Sequence, residues 1–517
     1  MTPGAARRAG PEGAAGPPPG PGGARGAGMR AGAGPPGAAV VVGGGFVGLS
    51  SALALQLAGA GRVRLLERAP GDPRRAASHG NAGTFAPYAN VPVNAPGAAA
   101  AALAMLARPE GGPLGVRLTP HLLRMVPWAL GFLRHSDPGR WQASGLALGS
   151  LLRRASEGYD GVLAQAGVDL DAPMGAYASA SAEGGGAGGG AAALPFAARE
   201  GYLLLQKDEE AMRGSAAGAA LRREGLGEGL RMESIGPAAV RELEPQLDTD
   251  RHAAGGACFF PDGWFLREPS ALLRAMRAGF ERAGGEVVAG EATGFVDPTH
   301  GHVSGRKANV GVTTAEAGEI LWADVAVVAA GAHSAPLVRS AGDWVPLDTE
   351  RGHSVEWAPG SEDLLNRAVC SPAHGFIVSP MSGGLRAAGL VELGGTEAGI
   401  TAARCEQLER DTRSLLGVAG GATASGSKLL APFWPLGPRD QERDWLGFRP
   451  TLPDALPVIG RSSKSPHVLY AFGHQHVGWT LGGITGLLVA ELACGQEPST
   501  DLRPFRPGRF SRFGWSN

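Results

Sequence analysis

Three glycines spaced Gly43-x-Gly45-x-x-Gly48, with Glu67 nineteen residues beyond the last, are the groups whose types and spacing speak most directly of chemistry. Such a turn suits a dinucleotide. The first glycine allows a tight bend, the second lets the backbone approach a pyrophosphate, and the third lets the next helix pack closely on the strand. That helix, with Phe46 and Val47 in its first turn, aims its N-terminal N–H groups at the phosphates. Glu67 can accept hydrogen bonds from ribose hydroxyls and would repel a 2′-phosphate, and Arg68 stands beside it. The elements needed to position these groups are legible around them: an apolar strand over residues 38–42, a helix following the glycine turn and a second strand over 63–66. Gly184-x-Gly186-x-x-Gly189 has the same spacing, but it lies in a Gly/Ala run with no strand before it and carries no such expectation.

The whole chain bounds what these groups can belong to. Its 517 residues, 44% hydrophobic, allow two or three domains with sizeable cores. A net charge of -1, dispersed basic residues and five tyrosines argue against a nucleic-acid partner. The four cysteines (Cys258, Cys370, Cys405, Cys494) form no Cys-x-x-Cys pair, so neither a disulfide framework nor a zinc site is expected, and no metal is assigned. Residues 1–37 are mostly Gly, Pro, Ala and Arg and are expected to be a disordered extension: a dispensable tail with a second start at Met29, or a targeting segment. No run reaches the ~18 apolar residues of a membrane span. A soluble cytoplasmic or organellar protein is expected, with peripheral membrane contact left open.

Along the chain, helical periodicity dominates residues 103–166, interrupted at Pro120, Pro127 and Pro138. Strands are expected at 201–205, 286–288, 323–330 and 468–472, with several short ones between 354 and 393. Helices are expected at 269–283 and 480–492. Nucleotide-site signals thus occur at the start, near 330 and near the end. A discontinuous α/β architecture follows: a Rossmann-like dinucleotide-binding domain from 38–110, 255–340 and 440–510, and an α+β substrate domain from 111–254 and 341–439 carrying a low-complexity insertion at 178–193. Residues 125–133, Met-Val-Pro-Trp-Ala-Leu-Gly-Phe-Leu, read first as a helix packed on a core and second as a lipid-touching surface between Arg124 and Arg134.

The dinucleotide turn alone does not choose between cofactors. Four further blocks do: Ser78-His-Gly-Asn81-Ala82-Gly83, Ala329-Ala330-Gly331-Ala-His-Ser334, residues 447–460 from Gly-Phe-Arg449-Pro450 to Val-Ile-Gly460, and Gly473-His474-Gln-His476-Val477-Gly478-Trp479-Thr480. With the glycine turn, they resemble the FAD-dependent amine and amino-acid oxidoreductases of the D-amino acid oxidase and glycine/sarcosine oxidase family, above all the D-amino acid dehydrogenase small-subunit type. The resemblance spans roughly 38–510 and implies non-covalent FAD with a glutathione-reductase-like nucleotide fold. Small residues at Asn81, Ala82, Gly83 and Thr84 would leave a slot for the flavin ring. The segment from Gly473 to Thr480 would bring N–H donors and a helix dipole to its pyrimidine edge. Ala292, Ala330 and Gly331 complete the expected cofactor contacts.

The same resemblance implies hydride transfer from the α-carbon of a D-amino acid, or of an imino acid such as D-hydroxyproline, to the flavin, with the resulting imine hydrolysed to a 2-oxo acid, and electrons passed to a quinone or other acceptor rather than to oxygen. Oxygen-using amine oxidation and a non-catalytic flavin-binding assembly role are the alternatives. A zwitterionic amino acid needs a cation for its carboxylate, best supplied by arginine, and Arg449 of Gly-x-Arg-Pro is the first candidate. An arginine pairing with Asp454 or Glu442 is the structural alternative. Arg351 is the second candidate, with His353 standing where relatives often show an aromatic residue. His474 and His476 could tune a proton or the flavin edge. His79 lies one residue off the spacing of a covalent flavin attachment, so non-covalent binding is expected. Oligomeric state does not follow from the sequence.

Overall fold

The computed structural model describes residues 34–107, 111–177, 193–297, 301–303, 305–316, 319–417 and 436–510. Residues 1–33 of the expected extension, nearly all of the expected insertion and the Gly184 motif lie outside them.

Apolar runs buried on both faces make parallel strands, and three of these, Ala38–Val42, Val325–Val328 and Val468–Phe472, are buried at every position. They form the centre of a six-stranded sheet whose order is Glu286–Ala289, Arg62–Glu67, Ala38–Val42, Val325–Val328, Val468–Phe472, Val458–Arg461. All neighbours are parallel except the last pair. From Ala38–Val42 the chain moves to one side, and its other neighbour arrives almost 260 residues later, at Val325. Strand order therefore reverses at the C-terminal end of Ala38–Val42, where open α/β sheets bind ligands. On one face, helix Phe46–Leu57 packs against Gly478–Ala493 and Ala155–Ala166. Glycines allow this close approach: a Cβ on Gly486 would lie 2.6 Å from the Ser50 carbonyl oxygen. A three-stranded meander, Ala292–Val296, Val310–Thr314 and Ile320–Ala323, covers the other face.

The second sheet is larger. Trp445–Thr451, Asp348–Glu356, Gly384–Leu393, Phe376–Met381, Ala368–Ser371, Tyr202–Leu205, Ala257–Phe260 and Glu233–Ile235 follow one another, and Leu114–Val116 adds to Gly384–Leu393. Strand alternation gives it two distinct faces. Leu203, Val355, Val369, Val378 and Ala387 pack with Cys405, Leu408 and Leu415 of helix Ala402–Leu415. The register partners Leu204, Cys370, Ile377 and Ala388 look the other way, toward the mouth of the first sheet.

Several expectations are corrected. Residues 323–330 do not form one strand: Asp324 lies between two strands of different sheets and receives the Ala38 N–H on its carboxylate at 3.0 Å. Within 103–166 the helical run is broken at Pro127 and Pro138 as expected, each standing at the start of a new helix, where proline needs no N–H. A short strand, Leu114–Val116, was not expected in that run. Ala257–Phe260 and Trp445–Thr451 pair antiparallel in the larger sheet, so the boundaries expected at 255 and 440 fall inside it. A short apolar strand does not announce its partner, and cross-strand register decides.

Helix Val126–His135 buries Trp128 and Gly131, yet Val126, Leu130 and Leu133, at i, i+4 and i+7, are about half exposed, and Leu123 just before them is 80% exposed. One face packs inward and the opposite apolar stripe faces out. Among the described residues no helix is long and apolar enough to cross a membrane.

Candidate active site

The glycine turn shows why each glycine is needed. Gly43 has φ +113°, and a Cβ there would lie 2.5 Å from the Ala329 carbonyl oxygen. A Cβ on Gly48 would run into the Gly43 carbonyl, so this glycine lets helix and turn touch. Gly45 differs. The nearest atom to a Cβ there is Ser78 Oγ at 3.5 Å, so no protein neighbour demands glycine, and the free space belongs to a cavity. Ser78 Oγ accepts from the Phe46 N–H at 3.1 Å, and with no acid in the first turn and no side chain on Gly45 to cap it, the positive end of the helix is left open to an anion. The Glu67 carboxylate lies against Gly44 and pairs with Arg277, while Arg68 pairs at the surface with Glu291 at 3.5 Å.

From this turn a cavity of about 860 Å³ runs between the two sheets. Of the expected cofactor residues, Gly43, Gly45, Phe46, Val47, Glu67, Arg68, Ser78, Asn81, Ala82, Thr84, Ala292, Ala330, Gly331, His474, Gly478 and Trp479 lie on its wall. Gly48, Gly83, Gly473, Val477 and Thr480 do not, and support the wall from behind. Gly83 (φ +69°) packs on Leu266, where a Cβ would lie 2.6 Å from the carbonyl oxygen. Thr480 Oγ1 accepts from the Ala86 N–H at 2.9 Å, Val477 is in the core, and Gly473 (φ +87°) turns the chain beside Leu452.

The 78–84 loop is held from both sides. Asn81 Oδ1 accepts from the Gly83 N–H at 2.7 Å, so its side chain shapes the loop itself. Ser379 Oγ donates to the Ala82 carbonyl at 2.9 Å, and Arg386 to the Asn81 carbonyl at 3.1 Å, tying the loop to the larger sheet. Trp479 Nε1 donates to the Ser78 carbonyl at 3.2 Å while its ring stacks on Phe46, centroids 4.2 Å apart. His79 is bonded to Ser270 through Nδ1 at 2.7 Å, and burial lowers its pKa to about 4.

Arg449 lies over Gly352, where any Cβ would strike its guanidinium, and donates to the Leu390 carbonyl at 2.8 Å. Among the described residues no carboxylate is within ion-pair distance of it. Its register partner Glu350 instead accepts from Thr451 Oγ1 at 2.9 Å and Gln475 Nε2 at 3.3 Å, and burial pushes its carboxyl pKa up against the pull of Arg449. Asp454 binds Arg509 at 2.7 Å, which removes it as a partner for Arg449. His476 is exposed into the cavity, its pKa lowered to about 4 by burial and then by Arg449. His474 is buried, bonded to Thr485 Oγ1 at 2.9 Å, with burial lowering its pKa to about 3. A histidine this reluctant to take a proton is a poor general base near neutrality.

Strand alternation corrects one expected catalytic residue, Arg351, and sets a second, His353, on the cavity wall beside Arg449 without sharing its face. Glu350, Gly352 and Ser354 share a face with Arg449, Gly447 and Trp445, whereas Arg351 and His353 turn to the other. Arg351 is fully buried, pairs with Glu392 at 2.7 Å and donates to the carbonyls of Gly395 (3.1 Å), Ala398 (2.7 Å) and Gly399 (2.5 Å). His353 reaches the edge of the cavity, but its Nε2 accepts from the Thr401 N–H at 3.4 Å, and its pKa is lowered to about 4 by burial. Sequence reasoning missed Trp445, which donates to the Arg74 carbonyl at 2.7 Å and fills the space a Cβ on Gly80 would need. It also missed Tyr88, Tyr202 and Arg222 at the far end of the cavity. Isolated aromatic and basic residues in helical or strand runs carry no spacing signal that could have found them.

The family model described as FAD dependent oxidoreductase matches residues 38–492. A protein named D-amino-acid oxidase from Bradyrhizobium diazoefficiens is 32% identical over 91% of this chain and 98% of its own. A D-amino acid dehydrogenase from Cereibacter sphaeroides is 28% identical over 92% and 97%. The crystal structure of glycine oxidase from Geobacillus kaustophilus superposes with a TM-score of 0.60 at 20% identity, covering 91% and 98%.

Proposed function

Because the chain belongs to the FAD dependent oxidoreductase family, we propose that it oxidises the CH–NH bond of D-amino acids and passes the electrons to a quinone-type acceptor. Bound FAD supplies the two-electron oxidation of the substrate carbon, and water then converts the imine to a 2-oxo acid and ammonium. The Gly43–Gly48 turn and the start of helix Phe46–Leu57 would hold its phosphates, Glu67 its ribose, and the 78–84 loop with Gly478 and Trp479 its ring. The observation that carries the reading is Arg449: a half-buried guanidinium on the cavity wall, without a carboxylate partner among the described residues, over a glycine that makes room for it. It is suited to a substrate carboxylate. No protein base is required if the amine arrives deprotonated, since His474 and His476 stay neutral in the working range.

The quinone acceptor is supported by relatives named D-amino acid dehydrogenase and by the outward stripe of Val126, Leu130 and Leu133, suited to a bilayer surface where quinones reside. Oxygen as acceptor is the second reading, favoured by the relative named D-amino-acid oxidase. Anaerobic bleaching of the flavin by D- but not L-amino acids tests the reaction. Rapid peroxide release in aerated buffer would replace the quinone with oxygen. Arg449→Ala should remain yellow and lose roughly 2–5 kcal/mol of substrate affinity; unchanged KM values would remove Arg449 from the site.

A further inference from the structure

At the far end of the cavity from the glycine turn, helix Ala216–Leu226 brings Arg222 to the wall. Its Nε donates to the Tyr88 carbonyl at 3.1 Å, and its guanidinium lies 5.7 Å from the centre of the Phe260 ring. Among the described residues no carboxylate is within ion-pair distance of it. The titratable groups facing it are Tyr88, Tyr202, Cys258 and Cys370, none of them a carboxylate, and burial pushes the pKa values of Tyr88, Tyr202 and Cys370 up. Tyr88 adds a separate observation. It is only 5% exposed, lines the same cavity, and its hydroxyl has no hydrogen-bond partner among the described residues. A desolvated cation without a counter-charge and a buried phenol without a hydrogen-bond partner are costly unless an acceptor joins them. One anionic group on the ligand would satisfy both.

Arg449 reaches across Gly352 to Leu390, over the strands Asp348–Glu356 and Gly384–Leu393. Arg222 faces Cys370 and Tyr202, on Ala368–Ser371 and Tyr202–Leu205, and Phe376–Met381 lies between these and Gly384–Leu393. At ~4.8 Å per strand, the two cations stand two to three strands apart, which suits an anion at the end of a side chain and not one on the reacting carbon.

Resting on the reading that the cavity oxidises D-amino acids, we propose that Arg222, with the Tyr88 hydroxyl, is the specificity-determining site for a second carboxylate, making ω-acidic D-amino acids of glutamate length or longer the preferred substrate class. Arg449 holds the α-carboxylate and Arg222 the distal one. The reaction is unchanged: bound FAD would supply the two-electron oxidation at the α-carbon, and both carboxylates would remain intact.

The test compares D-glutamate and D-2-aminoadipate with the uncharged D-glutamine and D-norleucine on the FAD-loaded enzyme, wild type and Arg222→Met, with Arg222→Lys as the charge-retaining control. Wild type should favour the acidic members in kcat/KM. Arg222→Met should lose roughly 10- to 100-fold on them alone, as for a lost charge-assisted hydrogen bond, and Arg222→Lys should recover part of that loss. A readout independent of turnover is the perturbation of the flavin visible spectrum by unreactive glutarate against butyrate: Arg222→Met should weaken glutarate binding and leave butyrate unchanged. Equal losses on acidic and neutral substrates, or a wild type that prefers neutral ones, would overturn the assignment while leaving D-amino acid oxidation standing. Failure of every D-amino acid to bleach the flavin would instead overturn the reaction on which it rests.

Discussion

Two candidate arginines, Arg351 and Arg449, do opposite things, and the difference is one of surroundings. Arg449 keeps free donors toward the cavity; every polar edge of Arg351 is matched by Glu392 or a backbone carbonyl. Removing one partner of a buried pair typically costs about 3–5 kcal/mol. Arg351→Met should therefore lower the melting temperature strongly while the KM of the remaining folded enzyme stays unchanged; a raised KM at unaltered stability would return Arg351 to the substrate. The glycine turn was legible residue by residue because its requirement is backbone geometry, which glycine spacing records. The face to which Arg351 and His353 point was not, because it depends on the register of Asp348–Glu356 against Trp445–Thr451, which the chain's own pattern does not state.

Elements with a strong period were readable in advance: the three buried parallel strands and the last helix fall within a few residues of expectation. What failed was partner choice for short strands, since Ala257–Phe260 is apolar enough for either sheet and is assigned by its pairing with Tyr202–Leu205. Helix Val126–His135 illustrates a related ambiguity, being apolar on two faces, of which tertiary packing covers one. If the outward stripe meets lipid, wild-type protein should float with anionic vesicles in a sucrose gradient. The combined change Val126→Glu, Leu130→Glu and Leu133→Glu should leave it at the bottom with flavin content and dye-coupled turnover intact. Flotation unaffected by the three substitutions would rule the stripe out as the contact.

Across the molecule, four buried or cavity-facing histidines, His79, His353, His474 and His476, have pKa values lowered to between about 3 and about 4, burial being the largest cause in each. In the unfolded chain each titrates near ~6.5. Between those values the unfolded state binds more protons, so their contribution to stability is whole above pH ~6.5 and drains away as pH falls toward 4. Thermal unfolding should thus shift to lower temperature from pH 7 to pH 4.5, and a flat profile would contradict the lowered pKa values of these rings. No histidine step should appear in kcat between pH 5 and 8. The stacking of Phe46 on Trp479, and of helix Phe46–Leu57 on Gly478–Ala493, joins the first turn of the fold to its last helix. During synthesis the pyrophosphate turn therefore waits, with its apolar helix only partly covered, until some 430 further residues have left the ribosome. Cofactor capture is then a late event that seals an almost finished polypeptide, and nascent chains stopped short of that helix should engage chaperones instead of flavin.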